Sequence, residues 1–446
     1  MISSTDTVIV GAGPYGLSTS AYLTEAGVPH QVLGLPMHAW KNFTPPGMLL
    51  RSEAFASNLY APGGGYTVED YCRHIHMEYK PVGLHLPVEM FVDYGQWFQS
   101  ELVAHIRPVE VQDMCRKDGY FRLGLSDGSS LVARRVVLSL GLKAFGQAPS
   151  ALRGVPKPYV LHSGDFGDAM WARGKEIVIV GGGQSAIGLA ALMGQVGARV
   201  RLLVRGEAVN WSKEPRTSSG IMSRLLRARV GLGRGWDSNK PWLLAMSYML
   251  SEYPASFHKL SLQHRQRILE TSWGPSGAWW LRDRVEGKIE ISTRTEVSHA
   301  EVRSGRVVLE VDSGNGTSAI SADHVVLATG FKVDMARHAF ISSEILSSLS
   351  LIDGSPDLTS NFETSVRDLY VLGPAAAMSF GPALRFIYGA RCAVPRVARH
   401  IGGRFKREAG RFAAPPHAAT PELANGHAGS GVHAGGVLQA VERNAE

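Results

Sequence analysis

The chain has 446 residues, 44% of them hydrophobic and 19% charged, which is enough apolar mass for a sizeable interior and too much length for one ordinary core, so two or more domains are expected. The formal charge of +7 comes from dispersed Lys and Arg with no basic block, a pattern that fits a solvated basic surface and attraction of a small anion and does not single out a nucleic-acid partner. The first residues lack a basic segment leading into an apolar run, and no stretch reaches the roughly 20 apolar residues of a membrane span, so no leader and no membrane partner are expected, and the expected location is cytoplasmic.

In chain order, the first element is a strand–turn–helix over Asp6–Gly27. Val8-Ile9-Val10 is a continuous apolar run, as a buried parallel strand requires. It enters Gly11-Ala12-Gly13-Pro14-Tyr15-Gly16. Gly11 permits the tight turn, Gly13 lets backbone approach a pyrophosphate, and Gly16 lets helix and strand pack closely. The helix, about Tyr15 to Ala26, points its positive end at phosphate and stops at Gly27; Val28–Leu33 resumes a strand. An acid is expected at the end of that second strand for the adenosine ribose. Gly34-Leu35 stands there instead, and no Asp or Glu occurs between Glu25 and Glu53.

Two short apolar strands ending in small-residue turns come next in kind, Val136–Gly141 and, much later, Val325–Phe331. Between them lies a near copy of the first unit, Lys175–Gly197. Ile177-Val178-Ile179-Val180 runs into Gly181-Gly182-Gly183-Gln184-Ser185-Ala186, in which Ala186 is the small packing residue. The following strand, Val200–Val204, ends in Arg205. A guanidinium there suits a 2′-phosphate and hence NADPH; the alternative is a solvent-facing Arg at a strand end. Arg201 and Lys213 are possible helpers. Two dinucleotide units in one chain imply hydride passing between two cofactors, nicotinamide to flavin.

Val200 to Gly287 holds a long Trp-bearing stretch, expected helical around Ser247–Ser272 and read as an insertion at about 209–287. Its end, Gly274–Arg284, either lines the substrate side or packs in the core. Beyond Gly402 the composition shifts to Ala, Gly, Pro and His, so 403–446 is expected to be a disordered tail whose His417, His427 and His433 are too widely spaced for a metal site. Cys72, Cys115 and Cys392 are far apart, with neither a redox CxxC nor a zinc pattern, and no metal is expected.

Together these motifs resemble those of the flavin-containing, Baeyer–Villiger and N-hydroxylating monooxygenases, the class B flavoprotein monooxygenase superfamily, and bacterial predicted flavoproteins associated with cation transport. The likeness covers about Thr7 to His400. Besides the paired glycine turns it includes Trp40, without the two glycines that usually precede it; Arg51–Asn58, a segment ending in an active-site asparagine; and Leu152-Arg153-Gly154 with His162–Phe166. It also includes the turn Leu327-Ala328-Thr329-Gly330-Phe331, and Gly373-Pro374 with Ser379–Pro382.

The resemblance implies an α/β chain with two Rossmann-like domains of the three-layer ββα kind. The FAD domain spans 1–149 and 334–402, and the NADP domain, 150–333, is inserted in it. FAD and NADPH are the implied cofactors. Gly11, Gly13, Pro14, Gly16, Trp40, Gly141, Thr329, Gly330 and Gly373 belong to the flavin side. Gly181, Gly183, Gln184, Ser185, Ala186 and Arg205 belong to the nicotinamide side. Asn58 is the catalytic candidate: a short amide donates and accepts at once, as a C4a-(hydro)peroxyflavin and the flavin N5–H would require. The other reading of Asn58 is a turn cap before Pro62. His162 is architectural in such proteins more often than a base.

The expected reaction transfers one oxygen atom of dioxygen to a small amine, sulfide or ketone. Two other readings stay open: an FAD-dependent NAD(P)H oxidoreductase or oxidase without oxygen transfer, and a non-enzymatic flavin sensor.

Overall fold

The computed structural model describes residues 2–165, 167–212, 214, 252–272, 274–314 and 316–408. All belong to one compact unit, Met1–Gly410. The expected tail beyond 408, Lys213, Trp236, Trp242 and Trp273 lie outside the described residues.

The first sheet is built from β1 (Ile2–Val10), β2 (His30–Leu33), β3 (Ile106–Arg107), β4 (Val111–Lys117), β5 (Tyr120–Leu125) and β6 (Ser130–Leu138) in the order β3-β2-β1-β6-β5-β4. The short strand Leu369–Val371 pairs with β6. β1 is parallel to β2 and β6, with Val10 opposite Leu33 and Leu138. Helix α1 (Pro14–Glu25) crosses from β1 to β2. Val8 and Ile9 are fully buried, which is why this strand carries no polar alternation; each such side chain contributes about 1.5–3 kcal/mol.

The second sheet is all parallel: β7 (Val160–His162), β8 (Glu176–Val180), β9 (Arg199–Val204), β10 (Glu290–Thr293) and β11 (His324–Leu327), in the order β10-β9-β8-β11-β7. Its crossover helix is α3 (Gln184–Gln195), and the capping helix α2 (Val68–His74) belongs to the first unit. An antiparallel sheet, Glu296–Arg303, Arg306–Ser313 and Gly316–Ala322, sits between β10 and β11 in the chain. Every strand of the second and third sheets falls between residues 160 and 327, and those of the first lie before 139 or after 368. This is the α/β layout with two Rossmann-like units that the glycine motifs predict.

Three expectations of extent are corrected. The second strand of the first unit starts at His30, because Val28 and Pro29 still belong to the turn that closes α1. The long helix expected around Ser247–Ser272 is, in its described part, two short helices, α4 (Pro254–His258) and α5 (Leu262–Thr271). The break follows from Pro254 at the start of α4 and Ser261 before α5. The C-terminal helix α6 spans Ala390–Glu408, so its last six residues fall in the expected tail. Glu408 is held there by Arg134 at 3.1 Å and by Arg135.

Candidate functional site

Each glycine turn is fixed by the carbonyl at the end of the neighbouring strand. At Gly11 the backbone has φ +108°, and a Cβ would stand 2.4 Å from the Ser139 carbonyl oxygen; at Gly16 it would stand 1.8 Å from the Gly11 carbonyl oxygen. At Gly181 φ is +143°, and a Cβ would stand 2.4 Å from the Ala328 carbonyl oxygen. These glycines are demanded by packing. Gly13 differs: an added Cβ would meet nothing within 4 Å. Open space in front of a helix start, where the first N–H groups have no partner, is what a diphosphate needs. Pro14 takes the first helical position, and Tyr15 is buried.

The first turn is tied to the C-terminal segment. Tyr15 Oη donates to the carbonyls of Phe386 (2.8 Å) and Leu384 (3.2 Å). At Gly373, φ +76°, a Cβ would lie 3.5 Å from the Tyr15 ring. Nothing in the motif marks this role for Tyr15, whose position it leaves variable. Trp40 is half-buried and sets its ring edge-on to Phe91 at 4.8 Å. At the end of β2, a Cβ at Gly34 would lie 3.3 Å from the Ala12 nitrogen. That tight turn, and not an acid, closes the strand.

At the second turn the strand ends at Val204, and Arg205 is exposed, with no ion pair among the described residues. Arg201 is not free to help, because it pairs with Glu290 at 2.8 Å. Ala186 is fully buried and Ser185 exposed. The Gln184 side-chain oxygen accepts the Ala278 N–H at 2.8 Å, which leaves the amide NH2 and the backbone for a ligand.

Residues 274–284 follow the core-packing expectation in part: Ala278 and Leu281 are buried in the core beside α3, and Arg282 and Arg284 are exposed. Pro275 Cβ lies 3.6 Å from where a Gly183 Cβ would stand. Ser276 is gripped by Arg51, 2.7 Å to its hydroxyl and 3.3 Å to its carbonyl. Trp280 stacks on His85 with centroids 3.5 Å apart. This segment straps the first unit to the mouth of the second turn.

The two small-residue turns also join the units. Gly141 and Gly330 have φ +68° and +87°, and neither would place a Cβ within 4 Å of anything. Thr329 Oγ1 donates to the Gln147 carbonyl at 2.6 Å. His162 lies beneath this crossing, edge-on to Phe331 at 5.1 Å, with Nδ1 accepting the Gly164 N–H at 3.2 Å. Burial lowers its pKa from the ordinary value. Its contacts are those of a support.

Asn58 uses both ends of its amide. Oδ1 accepts the Val68 N–H at 2.8 Å, and Nδ2 donates to the Phe55 carbonyl at 3.1 Å. Val68 opens α2, so Asn58 holds the start of that helix; one N–H of Nδ2 remains. Nearby, Glu252 accepts from Tyr388 and, at 2.6 Å, from Arg391, and Tyr388 packs edge-on to Phe55 at 6.4 Å. Burial holds the Tyr60 and Tyr388 hydroxyls well above the ordinary tyrosine pKa. No motif marks this cluster, because its members come from three distant segments. Cys72, Cys115 and Cys392 are all free thiols.

Residues 8–229 match the model of the pyridine nucleotide-disulphide oxidoreductase family. The structure superposes on the ornithine hydroxylase of Pseudomonas aeruginosa with a TM-score of 0.68 at 16% identity, covering 90% of this chain and 100% of that one. A flavin-containing monooxygenase from Stenotrophomonas maltophilia gives 0.60 at 16% identity, over 90% and 99%. At these identities the likeness shows a shared fold. Two curated relatives are ferredoxin–NADP reductases. That of Paramagnetospirillum magneticum is 36% identical over 95 residues, 20% of this chain and 26% of the relative. That of Granulibacter bethesdensis is 27% identical over 220 residues, 46% and 52%. The chain thus spans about a quarter and about half of the length of those two reductases. Among the described residues no helix of this flavoprotein-like chain is long and apolar enough to cross a membrane.

Proposed function

We propose that the protein is an FAD-dependent, NADPH-reduced monooxygenase that transfers one oxygen atom of dioxygen to a small organic substrate at an amine nitrogen, a sulfide sulfur or a ketone. The observation that carries this reading is the pair of glycine-opened helix starts in one compact unit: an added Cβ would meet nothing within 4 Å at Gly13, and Pro275 at 3.6 Å at Gly183. The residues fit both dinucleotides: Gly13 leaves room for a diphosphate, and Arg205, exposed and without an ion pair among the described residues, stands at the strand end that would face a 2′-phosphate.

When bound, FAD accepts hydride from NADPH and supplies the reactivity toward dioxygen. The chain's residues do the rest. Gly11, Gly13, Pro14 and Gly16 present α1 to one diphosphate, and Gly181, Gly183, Ser185 and Ala186 present α3 to the other. Gly141, Thr329, Gly330 and Gly373 would shape the turns around a bound flavin, and Trp40 would flank it. Asn58 offers one N–H toward the reacting atoms while its other groups hold α2. The reaction balances as NADPH, a proton, dioxygen and substrate giving NADP+, water and oxygenated substrate. Small-molecule substrate and dioxygen are the partners in this reading.

A second reading, an FAD-dependent NAD(P)H oxidoreductase without oxygen transfer, is favoured by Asn58, two of whose groups are committed to the fold, and by the names of the two reductase relatives. One experiment separates the two. Amines, sulfides and ketones are screened while NADPH use and hydrogen peroxide are measured. Oxygenated product matching NADPH supports the first reading. Peroxide equal to NADPH with every compound, together with rapid reduction of an added one-electron acceptor protein, supports the second.

A further inference from the structure

Two cavities lie away from the glycine turns. One, of about 880 Å3, runs along the edge of β8 and β9 and has carboxylates in its lining: Glu176 meets Arg199 and Glu290 meets Arg201, each at 2.8 Å. The other, of about 540 Å3, lies where α4, the loop at Ser360 and Asn361, and the middle of α6 converge. It has the opposite character. Lys259, Arg396 and Arg399 line it, and no carboxylate does.

Among the described residues neither Lys259 nor Arg399 forms an ion pair, and both are exposed to the cavity mouth or to solvent. Arg396 donates to the Ser360 carbonyl at 3.1 Å, a bond that fixes the guanidinium without neutralising it. The carboxylate nearest to this lining, Glu363, is 3.8 Å from His400 Nε2. It is already taken by Arg404 at 2.9 Å and by the Asp368 N–H at 2.8 Å. Two lining histidines carry buried ring nitrogens without a hydrogen-bond partner, His258 Nδ1 and His400 Nε2. Burial lowers the His400 pKa, so near neutrality that ring adds a polar group and no charge.

The floor of the cavity is firm. His258 stacks on Phe380 at 5.0 Å and 11°, and Phe380 on Phe362 at 3.8 Å and 15°. Three like charges brought together on such a floor, with no carboxylate in the lining among the described residues, repel one another, and an anion removes that cost. The volume is in the range of small-molecule sites, and guanidinium forks with an ammonium suit phosphate oxygens.

We propose that this cavity is a second anion site, separate from both nucleotide turns, and that it takes a small molecule carrying a phosphate or diphosphate. Lys259 and Arg399 supply charge, Arg396 a fixed fork, and Ser360 and Asn361 neutral hydrogen bonds. An anion there ties α4, which comes from the insertion between β9 and β10, to helix α6.

Calorimetric titration of inorganic pyrophosphate into the full-length flavin-loaded protein, with NADP+ saturating so that the glycine turns are filled, tests this. Wild type should bind one pyrophosphate saturably. The double variant Lys259→Ala with Arg399→Ala should bind it at least tenfold more weakly, while its circular dichroism and its thermal midpoint without pyrophosphate stay those of wild type. Citrate, run as a carboxylate probe, should bind more weakly than pyrophosphate. Absence of saturable binding to wild type, equal binding by the double variant, or citrate binding tighter than pyrophosphate would each overturn the proposal.

Discussion

The side-chain oxygen of Asn58 lies 2.8 Å from the backbone nitrogen of Val68, so the residue proposed for catalysis is also a structural strut. Removing it leaves an N–H at the start of α2 without a partner, a cost of about 1–3 kcal/mol. Asn58→Ala should therefore lower the thermal midpoint by a few degrees and raise the share of NADPH that ends as peroxide. Asn58→Asp keeps an acceptor for Val68 and loses the donor. It should recover part of the stability and none of the coupling. If the Asp variant couples as well as wild type, Asn58 has no part in the chemistry.

The four turn glycines divide into two kinds, and substitution should tell them apart. At Gly11, Gly16 and Gly181 a methyl group would overlap backbone oxygen at 1.8–2.4 Å. Alanine there should abolish folding or cost several kcal/mol, since backbone cannot give way cheaply. At Gly13 the space is open. Gly13→Ala should leave the flavin-free protein with an unchanged thermal midpoint and weaken flavin retention at least tenfold, measured by the flavin-to-protein ratio after dialysis. Full flavin occupancy in that variant would mean the diphosphate does not approach Gly13.

Much of this arrangement is legible in the sequence because it is local. Val8–Gly16 and Ile177–Ala186 carry strand, turn and helix start within ten residues, and each glycine has a steric reason to be there. The ends of α1 and α6 are less legible, because Tyr15 and Glu408 are positioned by partners hundreds of residues away. The strap of Pro275 to Trp280 is opaque for the same reason: Trp, Pro and Gly serve core and ligand surfaces alike, and only the contacts with Gly183, Arg51 and His85 assign it. The missing acid after β2 is read correctly from the chain. The structure adds the tight packing of Gly34 on Ala12 that takes its place.

Arg205 is exposed and unpaired among the described residues, which leaves its five donors for a ligand. A charge-assisted hydrogen bond to phosphate is worth about 1.5–3 kcal/mol. Arg205→Ala should raise KM for NADPH roughly 10- to 100-fold and leave KM for NADH unchanged. Steady-state kinetics with both nucleotides decides it, and equal changes would remove the 2′-phosphate role.

Arg135 is fully buried and joins β6 to β1 and to the last described turn of α6. It meets Asp6 at 2.6 Å, Asp368 at 3.4 Å and Glu408. Arg404 reinforces the cluster through Asp368 at 3.1 Å. Taking the central cation away leaves buried carboxylates facing one another, a loss of about 3–5 kcal/mol. Arg135→Met should shift the urea midpoint by that amount, and Arg135→Lys by less, since it keeps charge and loses the fork. A loss below about 1 kcal/mol for the Met variant would show that solvent or a neighbouring side chain replaces the guanidinium.

His85 gives the acid side of the stability curve. Its ring is stacked on Trp280, neither nitrogen has a hydrogen-bond partner, and burial lowers its pKa from 6.5 to about 4. The folded pKa is below the unfolded one, so between pH 6.5 and 4 the unfolded chain holds more protons than the folded one. Stability that is complete above pH 6.5 is therefore lost as pH falls through this window and levels off below about 4. At pH 5 the loss from this residue should be roughly 1–2 kcal/mol. His85→Phe keeps the stack on Trp280 and has nothing to protonate. The difference in urea midpoint between pH 7.5 and pH 5 should be smaller in that variant than in wild type. Because Trp280 belongs to the strap at the second turn, the wild-type protein should also bind NADP+ more weakly at pH 5 relative to the variant. An identical pH dependence for the two proteins would mean that the ring takes up its proton without leaving the stack.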